Sequence, residues 1–289
     1  LVYIDVSHFD TRNVSDMSSM FERCKDLTTL NVSNFNTQNV EDMWQMFDQC
    51  ISLTSLDVSG FKTDNVTEMG KMFTSCSSLT SLDVSGFKTD KVRNMSRMFS
   101  GCSGLTSLDV SGFKTDNVTD MGGMFGGCSG LTSLDVSGFK TDNVTRMAGM
   151  FGSCSGLTTI YAGDGWSTEK VTYGSDMFWN CTSLVGGQGT EYEVSHRDHT
   201  YARIDGGMDA PGYFTYKSVK VKGDVNGDCT VDVADIASVI SVMANQGNES
   251  LKKAADVNGD GTVDVADIAT VITEMAARAR LQQTVIEEE

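Results

Sequence analysis

The chain has 289 residues, room for two domains, with 39% apolar residues and a formal net charge of −17. So acidic a chain argues against a nucleic-acid or anionic-membrane surface, since both require a basic patch. No apolar run approaches the ~18 residues of a bilayer span, and the balance fits a secreted protein or one that collects cations.

Repeats begin at Leu1, Leu27, Leu53, Leu79, Leu105, Leu131 and Leu157, an interval of 26 residues, so seven coils are expected over residues 1–183. Leu1 already holds the first position of a repeat and no signal peptide is visible, which reads as a segment of a longer array. A period of this length marks a solenoid, whose units bury their apolar faces only against one another. In "LTSLDVSGFKTDNVTDMGGMFGGC" (105–128) two periodicities follow each other. Leu108 and Val110 alternate with Asp109 and Ser111, the pattern of a short strand that stacking turns into a parallel sheet. Beyond Gly112, the positions Val118, Met121, Met124, Phe125 and Cys128 fall on one face of a short helix, capped by Thr115, Asp116 or Asn117.

Stacking makes ladders of the repeated residues. Phe9, Phe35, Phe61, Phe87, Phe113 and Phe139 form one, with Trp166 in the corresponding place of the last coil; Phe21, Phe47, Phe73, Phe99, Phe125, Phe151 and Phe178 form another. The paired methionines, Met17 and Met20 through Met147 and Met150, belong to the core at this spacing. Cys24, Cys50, Cys76, Cys102, Cys128 and Cys154 recur every 26 residues, with Cys181 after 27 and Cys229 elsewhere. Such regularity denotes one position reused, a row of buried free thiols and not a set of crosslinks.

The phrase L-x-x-L-x-V with the recurring N-V-T and M-x-x-M-F-x-x-C elements resembles the BspA-type leucine-rich-repeat surface proteins of bacteria over residues 1–183. A Phe replaces the Asn or Cys of an ordinary leucine-rich repeat. The resemblance implies a cell-surface or secreted protein in adhesion or host-facing interaction, without catalysis. The Asn-Val-Ser/Thr triplets at Asn13, Asn65, Asn117 and Asn143 match a glycosylation acceptor but read as helix caps. Asp5, Asn31, Asp57, Asp83, Asp109 and Asp135 would stack along the outer, concave sheet face, satisfied by neighbouring Ser and Thr hydroxyls. That face is the expected site for a protein or glycan ligand.

Residues 184–216 break the period and read as the cap that an open solenoid end requires. His196 and His199 are spaced as a metal pair, but no third ligand stands nearby and zinc is not expected. No Ser, Cys or carboxylate beside them forms a nucleophile with its base.

"GDVNGDCTVDVADIASVISVM" (223–243) returns as "ADVNGDGTVDVADIATVITEM" (255–275). Asp224, Asn226, Asp228, Thr230, Asp232 and Asp235 take loop positions 1, 3, 5, 7, 9 and 12. Asp256, Asn258, Asp260, Thr262, Asp264 and Asp267 repeat them. A hard cation of six to eight oxygens needs this alternation, with the two threonines giving backbone carbonyls, so each loop is a calcium candidate. Cys229 holds position 6, where Gly permits the sharp turn. A helix follows each loop, with Ile236, Val239, Ile240 and Met243, and then Ile268, Val271, Ile272 and Met275, as its apolar face.

The tandem resembles type I dockerin over residues 223–276. The resemblance implies two Ca2+ ions, calcium-dependent folding and docking onto a cohesin-type partner. The family's recognition positions fall on Val233, Ala234, Val265 and Ala266, where clostridial dockerins carry hydroxylated residues; the near-identity of the copies allows binding in two orientations. The sequence therefore reads as an α/β repeat solenoid (1–183), a cap and linker (184–216), a small all-α dockerin-like domain (217–276) and a helical tail (277–289). The expected function is non-catalytic interaction at the bacterial surface. The alternative is an accessory or fragment of a polysaccharide-degrading, dockerin-bearing enzyme whose catalytic part lies outside this sequence.

Overall fold

The computed structural model describes residues 2–217, 222–226, 231–244, 246 and 249–287. Two compact units emerge, Leu1–Lys217 and Ser218–Glu289.

The first unit is a stack of coils, numbered 1 to 7 from the leucines that open them. Its core is one continuous apolar column: Leu53, Val66, Met69, Met72, Phe73 and Cys76 of coil 3 are fully buried, and coils 4 to 6 repeat the set. The Phe21-to-Phe178 ladder stacks with ring centroids 5.6–5.9 Å apart. Each inner thiol from Cys50 to Cys181 donates to the Phe carbonyl of the preceding coil, as Cys76 Sγ does to Phe47 O at 3.2 Å. These cysteines are free. Burial pushes Cys50 and Cys154 up to about 12 and the thiols between them higher still.

The expected helix between Met121 and Cys128 is absent; a ladder of turns takes its place. Met124, Gly126 and Cys128 donate to the carbonyls three residues back, while Met121, Gly123, Phe125 and Gly127 donate to coil 6, at Arg146, Ala148, Met150 and Gly152. Alternate amides thus serve the coil's own turn and the neighbouring coil. The backbone reaches both by placing two residues per coil at positive φ, Gly123 (63°) and Gly127 (78°) here, Gln45 (58°) and Gln49 (60°) in coil 2. The asparagines read as helix caps instead tie coils together: Asn65 Nδ2 donates to Gln38 O, and Asn117 Nδ2 to Asp90 O. A buried threonine ladder does the same from inside. Thr89 Oγ1 donates to Lys114 O at 2.9 Å and accepts from Lys114 N at 2.7 Å, and Thr37, Thr63 and Thr115 repeat the exchange.

The parallel sheet has three strands among the described residues, β1 (Ser133–Asp135), β2 (Thr159–Ala162) and β3 (Phe214–Tyr216), in that order. In earlier coils the L-x-x-L-x-V segment forms no continuous ladder. Clefts of about 450 and 410 Å³ open beside Leu30, Leu56 and Leu82, so the coils fan apart on this side, and the acidic stripe lies on the fanned side. Cross-coil hydrogen bonds concentrate at the turn wall and the Thr ladder, and the opposite face carries fewer, among them Thr28 N to Val2 O and Thr54 N to Thr28 O. Only where the cap adds β3, and Lys217 reaches across β2 to Asp135, do these segments close into a sheet. Along the stripe, the Ser two residues on donates to each Asp, as Ser59 N and Oγ do to Asp57 at 2.9 and 2.6 Å. The Ser hydroxyl, then its amide, holds Asp57 and Asp83 below the usual carboxylate range.

The cap covers coil 7 with aromatic rings. Phe214 meets Trp166 edge-on at 4.9 Å, Tyr213 meets Phe178 at 5.0 Å, and Trp166 Nε1 donates to Ala202 O. Asp205, 4% exposed, accepts from the amides of Gln188, Thr190 and Gly207 and from the Thr190 hydroxyl. His196 stacks on Tyr201 at 4.2 Å and faces Glu193, while the His199 ring occupies the space a Cβ on Gly174 would need, so the two do separate packing work.

Candidate metal centre

The second unit packs Val225, Val239, Val242, Ala255 and Val271 into a core of its own. Its helices are α1 (Val233–Met243), α2 (Glu249–Ala255) and α3 (Val265–Glu287). Each acidic loop leads directly into α1 or α3.

Asp235 and Asp267, the last position of each loop, are wholly buried. Their geometry is the same twice. Asp267 Oδ1 accepts from Val257 N and Asn258 N at 2.8 and 3.1 Å, and Oδ2 from Asp264 N at 2.9 Å. Asp235 holds Val225 N, Asn226 N and Asp232 N in the same manner. Each carboxylate thereby ties the beginning of its loop to the end, a closure that satisfies buried amides. Asp232 caps α1 by accepting from Ala234 N at 2.7 Å, in a capping box with Asp235. Asp264 accepts from Ala266 N likewise.

Within the second loop, Asp256 accepts from the amides of Gly259 and Gly261, both at positive φ, which folds the loop back on itself. Asp260 Oδ1 accepts from Thr262 N and Oγ1 and Oδ2 from Asn258 Nδ2; the Thr262 hydroxyl leads in lowering its pKa. Among the described residues, no three acidic, histidine or cysteine side chains gather into a group that would hold an ion. In chemical terms the donor set suits a hard cation: Asp256, Asp260 and Asp264 bring carboxylate oxygens and Asn258 an amide oxygen. Each now holds a local amide or hydroxyl proton, and an oxygen acceptor has a second lone pair. In the first loop Asp224 and Asn226 are described, whereas Asp228, Cys229 and Thr230 lie outside the described residues.

The helices turn a second feature outward. Val233 and Val265 are each 70% exposed, and Ala234 and Ala266 beside them are exposed as well. Ile240 and Ile272, expected inside, are 52% and 51% exposed. Met243, also expected inside, is 43% exposed, whereas Val239 and Val271 are buried as expected and Val242 joins them, because three helices leave only a narrow inward stripe on each. Val233, Ala237 and Ile240 line one side of α1, and Val265, Ala269, Ile272 and Ala276 the matching side of α3. The seven-residue step from Val233 to Ile240, two helical turns, is the sequence signal for this stripe.

Residues 2–107 and 103–204 match the family described as "Mycoplasma protein of unknown function, DUF285", together more than half the chain. The chain belongs to this family. Beyond its DUF285 repeats, residues 222–276 match the dockerin type I domain. A leucine-rich repeat protein from Bacteroides ovatus, of known crystal structure, is similar at 18% identity with a TM-score of 0.22; the match covers 61% of this DUF285 chain and 64%, under two thirds, of that protein. No curated protein is significantly similar. No helix among the described residues is long and apolar enough to cross a membrane.

Proposed function

We propose that the chain is an exported bacterial surface protein in which a ligand-presenting solenoid is attached to a cohesin-type partner by a calcium-dependent dockerin module. The observation that carries this reading is the exposed apolar stripe present twice, on α1 and α3, each beside an acidic loop of one design. In this reading each loop takes one Ca2+. Asp224, Asn226, Asp228, Asp232 and Asp235, with the Thr230 carbonyl, serve the first; Asp256, Asn258, Asp260, Asp264 and Asp267, with the Thr262 carbonyl, serve the second. A bound ion supplies the charge that holds these carboxylates together. Val233, Ala234, Val265 and Ala266, continued by Ile240 and Ile272, then form the docking face, whose apolar character selects a partner with an apolar patch. No catalytic role is assigned to any residue.

Calcium calorimetry on the full chain, paired with capture on immobilised cohesins with and without chelator, tests the proposal. Two sites are expected, with capture lost on chelation and in the Ile240→Lys/Ile272→Lys double variant. Capture indifferent to calcium and to both substitutions contradicts the attachment role.

A further inference from the structure

The turn wall of the solenoid carries a groove of about 910 Å³ running from Trp44 of coil 2 to Trp179 of coil 7. Its ends are aromatic and cationic. At one end the Trp44 ring lies flat over Gly70, where a Cβ would collide with it, and Lys71 Nζ stands 5.1 Å from the ring centroid. At the other, Tyr173 and Trp179 are 62% and 50% exposed, with the Arg146 guanidinium 5.1 Å over Tyr173. Arg97 lies between, its aliphatic stem over Gly123. The groove has depth because coil 5 carries only glycine at the four positions flanking Met124 and Phe125, where coil 2 carries Trp44, Gln45, Asp48 and Gln49.

The floor constrains what fits. The amides of Gly123, Gly126 and Gly127 donate to backbone carbonyls and that of Gly122 to Asp120, so an added peptide strand finds no edge there. What remains to a ligand is ring faces and cation heads. Arg97 makes no ion pair among the described residues, Arg146 is 3.8 Å from Asp120, and Asp176 is occupied by Arg197 at 2.8 Å. In a chain of net charge −17, three cations along one groove favour an anion. The half-buried Trp44 at one end and the exposed Tyr173 and Trp179 at the other favour flat rings with apolar C–H faces and a polar rim.

We propose that this groove binds an acidic polysaccharide, a chain of hexuronic acid residues. Sugar rings stack on Trp44, Tyr173 and Trp179, and carboxylates pair with Lys71, Arg97 and Arg146. The inference deepens the ligand-presenting role proposed for the solenoid and moves it from the fanned sheet side to the turn wall.

The test is calorimetry of the full chain, in chelator throughout, with an oligogalacturonate, a neutral cello-oligosaccharide of equal length and a polyglutamate. The uronate chain is expected to bind, the neutral chain at least about tenfold more weakly and polyglutamate not measurably. Trp179→Ala and Arg97→Ala should each weaken uronate binding about tenfold. Ala148→Trp, which fills the floor from a position that already bears a side chain, should abolish it with an unchanged melting profile. Equal binding of the neutral chain, binding of polyglutamate, no uronate binding, or full affinity in Ala148→Trp overturns the proposal. Chelator removes cohesin capture but not uronate binding, so failure of one reading is distinguishable from failure of the other.

Discussion

Thr89 shows how much a single hydroxyl does in a stacked coil. It is fully buried, and its Oγ1 both donates to Lys114 O and accepts from Lys114 N, completing one residue's backbone in the next coil. Thr89→Val keeps the shape and removes both bonds, leaving an amide and a carbonyl without their partner. The expected cost is about 2–3 kcal/mol, since an unmade buried hydrogen bond costs more than a made one contributes. Urea unfolding of the variant against the parent measures it, and Thr89→Ser should recover most of the loss. The recurrence of this Thr every 26 residues was visible in the sequence, yet it read as a helix cap. A hydroxyl three residues before an apolar position suits either role, and only the partner's location, in the same coil or the next, separates them. The acidic stripe was legible because its Asp–Ser bonds span two residues and need no knowledge of the stack.

At the scale of elements, the core side of the M-x-x-M-F-x-x-C segment was readable and its backbone was not. Inward positions at i, i+3, i+4 and i+7 belong to a helix face, and a run of three-residue turns produces the same set. The distinction lies in the left-handed residues, and the glycine pair of coil 5 hints at them while Gln45, Gln49, Lys71 and Ser75 conceal them. An L residue at such φ carries strain of about 1–2 kcal/mol that glycine avoids. Two substitutions should therefore move stability in opposite directions. Gly127→Ala, whose Cβ meets only ordinary contacts, should cost about 1 kcal/mol, and Gln49→Gly should gain up to about 1 kcal/mol, less the extra freedom of the unfolded chain. Matched urea midpoints decide it; a true helix would reverse both signs, Gly127→Ala gaining stability and Gln49→Gly losing it. In the helical unit the loop-then-helix order was legible from the repeated acidic phrase. The outward turn of Ile240 and Ile272 was not, because helical periodicity fixes a face but not how wide a stripe the neighbours can cover.

At the scale of the whole solenoid, each coil is buried by its neighbours, so the last one depends on the cap. Asp205 organises that cap from a buried position. Burial alone would raise its pKa, but the Thr190 amide and hydroxyl and the amides of Gly207 and Gln188 outweigh it and hold the group at about 2, against an ordinary 3.8. A carboxylate depressed in the folded state contributes its stabilisation in full above the unfolded value and loses it as pH falls through the folded one. The window is thus about pH 4 to 2, and the amount at stake is about 2 kcal/mol. Loss should begin locally, with Phe214 and Tyr213 lifting from Phe178 and Trp166, before the column beneath opens. Hydrogen exchange followed by mass spectrometry across this range should show residues 186–216 losing protection ahead of coils 2–5. Asp205→Asn removes the charge that the amides select for, so it should weaken the cap already at neutral pH and flatten the acid-dependent step. If the cap and the middle coils lose protection together, or if Asp205→Asn keeps the step, acid sensitivity originates elsewhere, with the depressed carboxylates of the stripe at Asp57 and Asp83 as the next groups to replace.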